Sequence, residues 1–332
     1  MSRTLRIAFS LAISAVFLAF AVRGVDWHDA LAALEKAQYL YAVPMAVICV
    51  WTLYIRAQRW RVLLRPVGTP AMRTLVAATN IGFMANMVLP LRIGEVIRPV
   101  LVSRKEREPL SGILATVVVE RIFDMFTVLF LFGISAALVP VSDELRRWGI
   151  RLCVLALAVG AGVAMVRWQE ARVLRWLGMA LRPLPERITH PVDHFFRGFV
   201  TALEILDSPA SFLQILGWSL YLWVVISLIH TCGLLAFALP VPLVLGSVVA
   251  TAVIAIAVSA PSAPGYIGAF QLGCILALAI FGVPRSDAFA FSIVLHVVQF
   301  VAVVAAGLYS LAREGLTLKQ IEEVSEADGA GT

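Results

Sequence analysis

Six charged side chains fall in two short stretches of otherwise apolar sequence. Arg92, Glu95 and Arg98 lie in the run from Val88 to Pro99, and Glu120, Arg121 and Asp124 follow about a helix length later. A charge left unpaired at the centre of a bilayer costs roughly 2.5 to 3.5 kcal/mol on insertion scales, so such groups must meet one another, water or a ligand. Three guanidinium groups balance three carboxylates, and the set can close on itself. It can also exchange an internal pair for a phosphate and a neighbouring cation, because the arginine fork binds phosphate bidentately. Glu120 and Asp124 are four residues apart and share a helix face, and Arg121 reaches Asp124 at a spacing of three. Arg98, three residues after Glu95, is placed to brace its own segment. Arg92, beside the break at Pro90 to Gly94, is freer to point across at Glu120 or Asp124 and to meet a phosphate.

Composition explains why these charges must be organised by helices in a membrane. The chain has 332 residues, 61% hydrophobic and 14% charged, with a mean hydropathy of +0.90. Soluble domains carry nearer a quarter charged residues. The net charge of +6 does not point to nucleic acid, because the bases fall in short runs between apolar spans, where they orient the chain. Cys49, Cys153, Cys232 and Cys274 stand singly, without metal-type spacing. No cofactor-binding motif is present. An intramembrane transferase using Glu120 or Asp124 as general base would need a nucleophile or metal in reach. The sequence offers no metal-ligand cluster, phosphate-cradling glycine loop or serine nucleophile motif.

The pattern predicts an all-α polytopic membrane protein with about six full spans plus two re-entrant broken-helix hairpins. Residues 5 to 22 suffice to cross a core of about 30 Å, and Arg3 and Arg6 place the N-terminus in the cytoplasm. An uncleaved first helix fits better than a signal peptide. A short interfacial helix around Leu31 and Leu34 precedes a return from Tyr39 to about Ile55. The arginines Arg56, Arg59, Arg61, Arg65 and Arg73 then mark the cytoplasmic side and meet lipid headgroups, with Trp51, Tyr54 and Trp60 as interfacial anchors. Residues 75 to 89 are followed by Pro90, Gly94 and Pro99 and then by Arg104, Lys105 and Arg107. A full crossing would put that basic cluster outside, so a hairpin turning near Pro90 to Gly94 is expected, its tip lining a cavity. Leu110 to Val139 is a long span. Asp143 to Arg147 make an outer loop, and Ile150 to Val166 go back. Residues 167 to 210, with Arg167, Arg172, Arg175, Arg182, Arg187 and Arg197 among Trp168, Trp176, Phe195, Phe196 and Phe199, read as cytoplasmic helices lying on an anionic leaflet. Phe212 to Ala238 cross outward. A second hairpin then runs from Leu243 through Pro261, Pro264, Gly265 and Gly268 to Phe281, entered from outside. Asp287 to Leu311 finish the bundle, and 314–332 form an acidic, disordered cytoplasmic tail. Residues 1–313 make one transmembrane domain.

The order span, broken hairpin, span therefore occurs twice, in 39–139 and 212–311. With Pro90 matched to Pro261, Trp51 falls near Trp223, and Arg121 with Asp124 near His296 with Gln299. Opposite directions of insertion make this an inverted repeat of the kind secondary transporters build around a midplane site. Asn86 and Gly94 fit both headgroup recognition and the close packing of a turn. His296 and Gln299 suit interhelical hydrogen bonds, with proton coupling through the histidine as the alternative. His230, alone on its span, reads as a packing residue.

The chain resembles the lysylphosphatidylglycerol synthase transmembrane region, a flippase-like family. The resemblance rests on Arg59-Trp60 with Leu63-Leu64, on Asn86 to Pro90 with Arg92, Gly94, Glu95 and Arg98, on Glu120-Arg121 with Asp124, and on Pro261 to Gly268. It implies movement of a charged or glycosylated lipid, a phospholipid or a polyprenyl-linked sugar, between leaflets of the cytoplasmic (inner) membrane. An envelope glycosyltransferase or lipid synthase is the implied partner, and the competing reading is a non-transporting scaffold for such an enzyme. Lysyl transfer is not expected, since no soluble domain follows Arg313. Gln271 stands where the resemblance implies a glutamate.

Overall fold

The computed structural model describes residues 3–89, 92–138, 143–181, 185–259, 264–317 and 320. Among them every regular element is a helix and there is no strand. The helices are α1 (Arg3–Val22), α2 (Trp27–Lys36), α3 (Ala42–Leu63), α4 (Met72–Val88), α5 (Gly94–Glu106), α6 (Leu110–Leu138), α7 (Asp143–Trp168), α8 (Glu170–Leu181), α9 (Glu186–Leu203), α10 (Pro209–Ala236), α11 (Leu243–Ser259), α12 (Ala269–Ala279) and α13 (Arg285–Arg313). Among the described residues three helices are long and apolar enough to cross a membrane: Tyr39–Leu63, Pro209–Ala236 and Arg285–Arg313. A fourth is added if Cys153–Trp168 and Glu170–Met179, bent by 95° at their junction, count as one span. The chain is thus a multi-pass membrane protein, although length and hydropathy alone give fewer spans than the six expected.

Contacts between helix ends sort the bundle into two poles. At one pole Arg65 donates to Gln214 at 2.8 Å, Lys105 pairs with Glu314 at 2.6 Å and Arg167 donates through Nε to Asp207 at 2.8 Å. At the other, the Gln38 amide donates to the Ala236 carbonyl at 2.8 Å, the Asp26 amide donates to Ser286 at 2.9 Å and Arg285 donates to the Phe20 carbonyl. Helices α4 and α5 form a hairpin that starts and finishes at the first pole. Helices α11 and α12 form a second one that starts and finishes at the opposite pole. Both fold back tightly. A β-carbon on Gly94 would lie 1.8 Å from the Gly82 carbonyl oxygen, and one on Gly273 would lie 2.9 Å from the Ala257 side chain. Only hydrogen fits between α4 and α5 at Gly94, so there glycine serves close approach.

Each hairpin leans on a long helix from the other half of the chain, α4 on α13 and α11 on α6. Asn80 donates to Ser310 at 2.9 Å across the first of these contacts. The tips meet in the middle of the molecule. A β-carbon on Gly265 would lie 3.2 Å from the Met87 carbonyl oxygen, and the Arg92 guanidinium stacks over the Tyr266 ring at 5.1 Å. Arg92, Gly265, Tyr266 and Gly268 all have positive φ, between 53° and 86°, so the chain reverses through left-handed residues at both tips.

Several expectations need correction. Helix α3 does not end near Ile55 but runs to Leu63, and this carries Arg56 and Arg59 into the protein. Trp60 is no interfacial anchor: it is fully buried and donates to Thr116 at 2.9 Å. Pro99 sits inside α5 without ending it. Asp143 to Arg147 form the first turns of α7 and not a loop. In the 167–210 segment α9 packs against α6, where a β-carbon on Gly198 would lie 2.8 Å from the Gly112 amide, while Trp168 and Trp176 are exposed. Pro90, Pro261, Arg182 and nearly all of the acidic tail lie outside the described residues.

Candidate functional site

Helices α3, α5 and α6 converge on two carboxylates. Arg59, fully buried on α3, grips Asp124 with both terminal nitrogens, at 2.6 and 3.1 Å. It also lies 3.2 Å from Glu120 and donates to Ser219 on α10 at 3.1 Å. Arg98 on α5 approaches Glu120 at 2.9 and 3.5 Å, with its guanidinium 4.2 Å from the Trp60 ring centre. Arg121 reaches Glu120 at 2.7 Å and Asp124 at 3.5 Å. Trp223 on α10 completes the shell of Asp124 with an indole bond of 3.3 Å. The two acids and three arginines form one continuous network. Bidentate guanidinium-carboxylate pairing is among the stronger charge-assisted contacts, and breaking one side of it leaves an uncompensated buried charge.

The pairing differs from the one read off spacing. Arg98 turns to Glu120 on the neighbouring helix instead of bracing Glu95. Arg92 does not point at Glu120 or Asp124; it donates to the Val258 carbonyl of α11 and covers Tyr266, tying one hairpin tip to the other. Arg59, assigned by its neighbours in sequence to lipid headgroups, is the most deeply placed cation of the network. Its signal was present: Arg56 and Arg59 continue the face of Thr52 and Cys49 at helical spacing, and Trp60 follows directly.

Beside the network lies a cavity of about 580 Å³ between the two tips. Asn86, Arg92, Gly94, Glu95, Arg98, Arg121 and Asp124 line it from the first half of the chain, and His296, Gln299 and Tyr266 from the second. Arg56 lines it as well, its guanidinium 4.7 Å from the Phe83 ring centre. The rest of the wall is largely apolar, with Met125, Val128, Leu129, Ile229 and Val303. Most of the residues singled out from sequence are therefore brought together. Glu120 is not on the wall. It is completely buried behind it, and Asp124 is the acid that reaches the cavity.

Gln271 is also withdrawn from the wall. Its carbonyl oxygen accepts from the Gly268 amide at 2.7 Å and its amide nitrogen lies 2.8 Å from His296 Nδ1. It thus caps the start of α12 and holds the histidine that does line the cavity. Pro264 and Gly265 build the second tip through a short 3-10 turn. His230, read as packing, lines the cavity too: Nδ1 contacts Thr251 at 2.9 Å, while Nε2 has no hydrogen-bond partner among the described residues. The Asn86 side-chain oxygen is likewise without one. Among the described residues no group of three His, Cys, Asp or Glu side chains is arranged to hold a metal ion.

The profile of the family described as "Lysylphosphatidylglycerol synthase TM region" matches residues 7–307. Among curated proteins the chain is 25% identical over 359 aligned residues to "Glycosyltransferase AglD" of Haloferax volcanii. That alignment takes in 98% of this chain and 57% of the relative, so the chain spans little more than half of that protein's length. No solved structure matches it significantly.

Proposed function

Since this chain belongs to the lysylphosphatidylglycerol synthase TM region family, we propose that, within the membrane lipid or glycan role this membership implies, it is a lipid translocase. On this reading a charged or glycosylated headgroup passes between leaflets through the cavity while the acyl or prenyl tails stay in the bilayer. The observation that carries it is the meeting of two hairpin tips from opposite poles at a cavity that joins a charged wall to an apolar one. Broken helices at mid-depth supply non-helical backbone where a cavity satisfies it, the arrangement secondary transporters use to build a site open to either side.

On the same reading the two hairpins are re-entrant and belong to an inverted repeat, 39–139 against 212–311. The reciprocal packing of α4 on α13 and of α11 on α6 supports this. So do the two poles: Arg65, Lys105, Arg167 and Arg313 gather at one, which the positive-inside rule makes cytoplasmic together with both termini. The membrane is then the cytoplasmic one, with the exposed tryptophans Trp168 and Trp176 facing its anionic leaflet.

A second reading draws on the relative named a glycosyltransferase. There the chain is a non-transporting partner that presents a lipid to an envelope glycan- or lipid-modifying enzyme, and the cavity holds the lipid without passing it. Leaflet-resolved labelling of fluorescent lipids in proteoliposomes of the purified protein separates the two. Protein-dependent loss of the inner-leaflet fraction supports translocation, and an unchanged fraction with retained lipid binding supports presentation.

A further inference from the structure

The charge count of the cavity together with the network beside it differs from the count in the sequence. Adding Arg56 and Arg59 to Arg92, Arg98 and Arg121 makes five guanidinium groups. Against them, among the described residues, stand three carboxylates, Glu95, Glu120 and Asp124, so the cations of the set outnumber its acids by two. The surplus is not spread evenly. Arg59 and Arg98 are spent on Asp124 and Glu120. Arg56 has no carboxylate within ion-pair distance among the described residues, and it lies one helical turn from Arg59 with its guanidinium on the cavity wall, supported by the Phe83 ring. Arg121 shares acids already held by other arginines and keeps 39% of its side chain exposed.

Guanidinium groups do not lose their proton in proteins, and a bare surplus at this depth is costly. A ligand that supplies the missing negative charge therefore gains both the ion pairing and relief of that cost. We infer that the cavity selects an amphiphile whose headgroup carries two or more negative charges, a diphosphate or a phosphomonoester, received by Arg56 and Arg121 while its chain lies against Met125, Val128 and Leu129. This rests on reading the cavity as a headgroup site and adds which headgroup it takes. Cationic headgroups are disfavoured by the same surplus, and a monoanionic phosphodiester satisfies half of it.

The test is equilibrium binding to the full-length protein in a non-ionic detergent, with three probes: farnesyl diphosphate, the monoanionic diester farnesyl methyl phosphate, and inorganic pyrophosphate. Farnesyl diphosphate should bind at least about tenfold more tightly than either of the others, the difference expected of one or more charge-assisted pairs. Arg56→Gln should remove about tenfold of that affinity and Arg56→Lys should recover part of it. The melting temperature without ligand should hold or rise in Arg56→Gln, because the variant removes an unpaired charge. If Arg56→Gln does not fold, Arg121→Gln carries the same comparison. Equal affinity for the two farnesyl probes overturns the assignment, and so does pyrophosphate binding as tight as farnesyl diphosphate, which would make this a site for the free anion. Farnesyl diphosphate bound selectively by a protein that moves no lipid in vesicles upholds the headgroup assignment and removes translocation. Lipid movement without any preference for the diphosphate does the reverse.

Discussion

Glu120→Gln probes the network where the structure makes its firmest commitment. The wild-type carboxylate is completely buried and meets three guanidinium groups, Arg121 at 2.7 Å, Arg98 at 2.9 Å and Arg59 at 3.2 Å. The amide keeps the shape and removes the charge, leaving Asp124 as the only acid in contact with Arg59 and Arg121 and none for Arg98. Removing one partner of a buried pair typically costs about 3 to 5 kcal/mol, because the remaining charge stays buried and uncompensated. At roughly 2 to 4 °C of Tm per kcal/mol for large domains, the melting temperature in detergent should fall by about 10 °C. Arg98→Gln added to Glu120→Gln should return part of the loss, since the two residues act on one interaction and their effects should not add. Thermal unfolding followed by tryptophan fluorescence measures all three variants. A Tm for Glu120→Gln within about 2 °C of wild type would show instead that the site is well enough hydrated to screen three guanidinium groups.

The other expectations follow from single contacts. Gly94→Ala should destabilise the protein by about 3 kcal/mol or more in the same melt, since the added carbon would lie 1.8 Å from the Gly82 carbonyl oxygen and a backbone atom cannot move aside. Arg98→Lys should lose more stability than Arg92→Lys, because Arg98 makes two bonds to Glu120 and stacks on Trp60, whereas Arg92 links the tips at the cavity edge; the opposite ranking would mean the two roles are exchanged. Reporter fusions placed after Arg107 and within residues 170 to 205 should both read cytoplasmic, and an external reading after Arg107 would remove the first hairpin.

Much of the architecture was legible because it is written in breaks and charges. Proline and glycine around residues 90 to 94 and 261 to 268 mark the tips, and basic clusters on both sides of residues 72 to 106 force the chain to return to the pole it left. The shared face of Glu120 and Asp124 was equally plain from helical spacing. What could not be read is which partner each charge selects. Arg98 is three residues from Glu95, yet it pairs with Glu120 across a helix interface, because tertiary geometry offered a buried carboxylate beside an indole face. Arg56 and Arg59 were hidden in a run that continues to Arg65, where position relative to the membrane cannot be told from composition. Only the extension of α3 to Leu63 separates buried Arg59 and the cavity-lining Arg56 from the arginines at the pole. His230 was missed as a wall residue because a lone histidine on an apolar face carries no pattern, and its place became clear once α10 and α11 were seen to pack at Thr251.

The central claim is that a headgroup passes through the cavity between the tips, and Arg121 is the network member with the most side-chain exposure there, 39%. The most direct measurement is the rate of leaflet exchange of a fluorescent lipid in proteoliposomes, compared between wild type and Arg121→Gln at matched protein incorporation. Passage through the cavity requires protein-dependent exchange that drops by about tenfold or more in the variant, the worth of one charge-assisted phosphate contact, with a melting temperature near that of wild type. Exchange at the wild-type rate in Arg121→Gln, or none above protein-free vesicles in the wild type across anionic lipids, would contradict it.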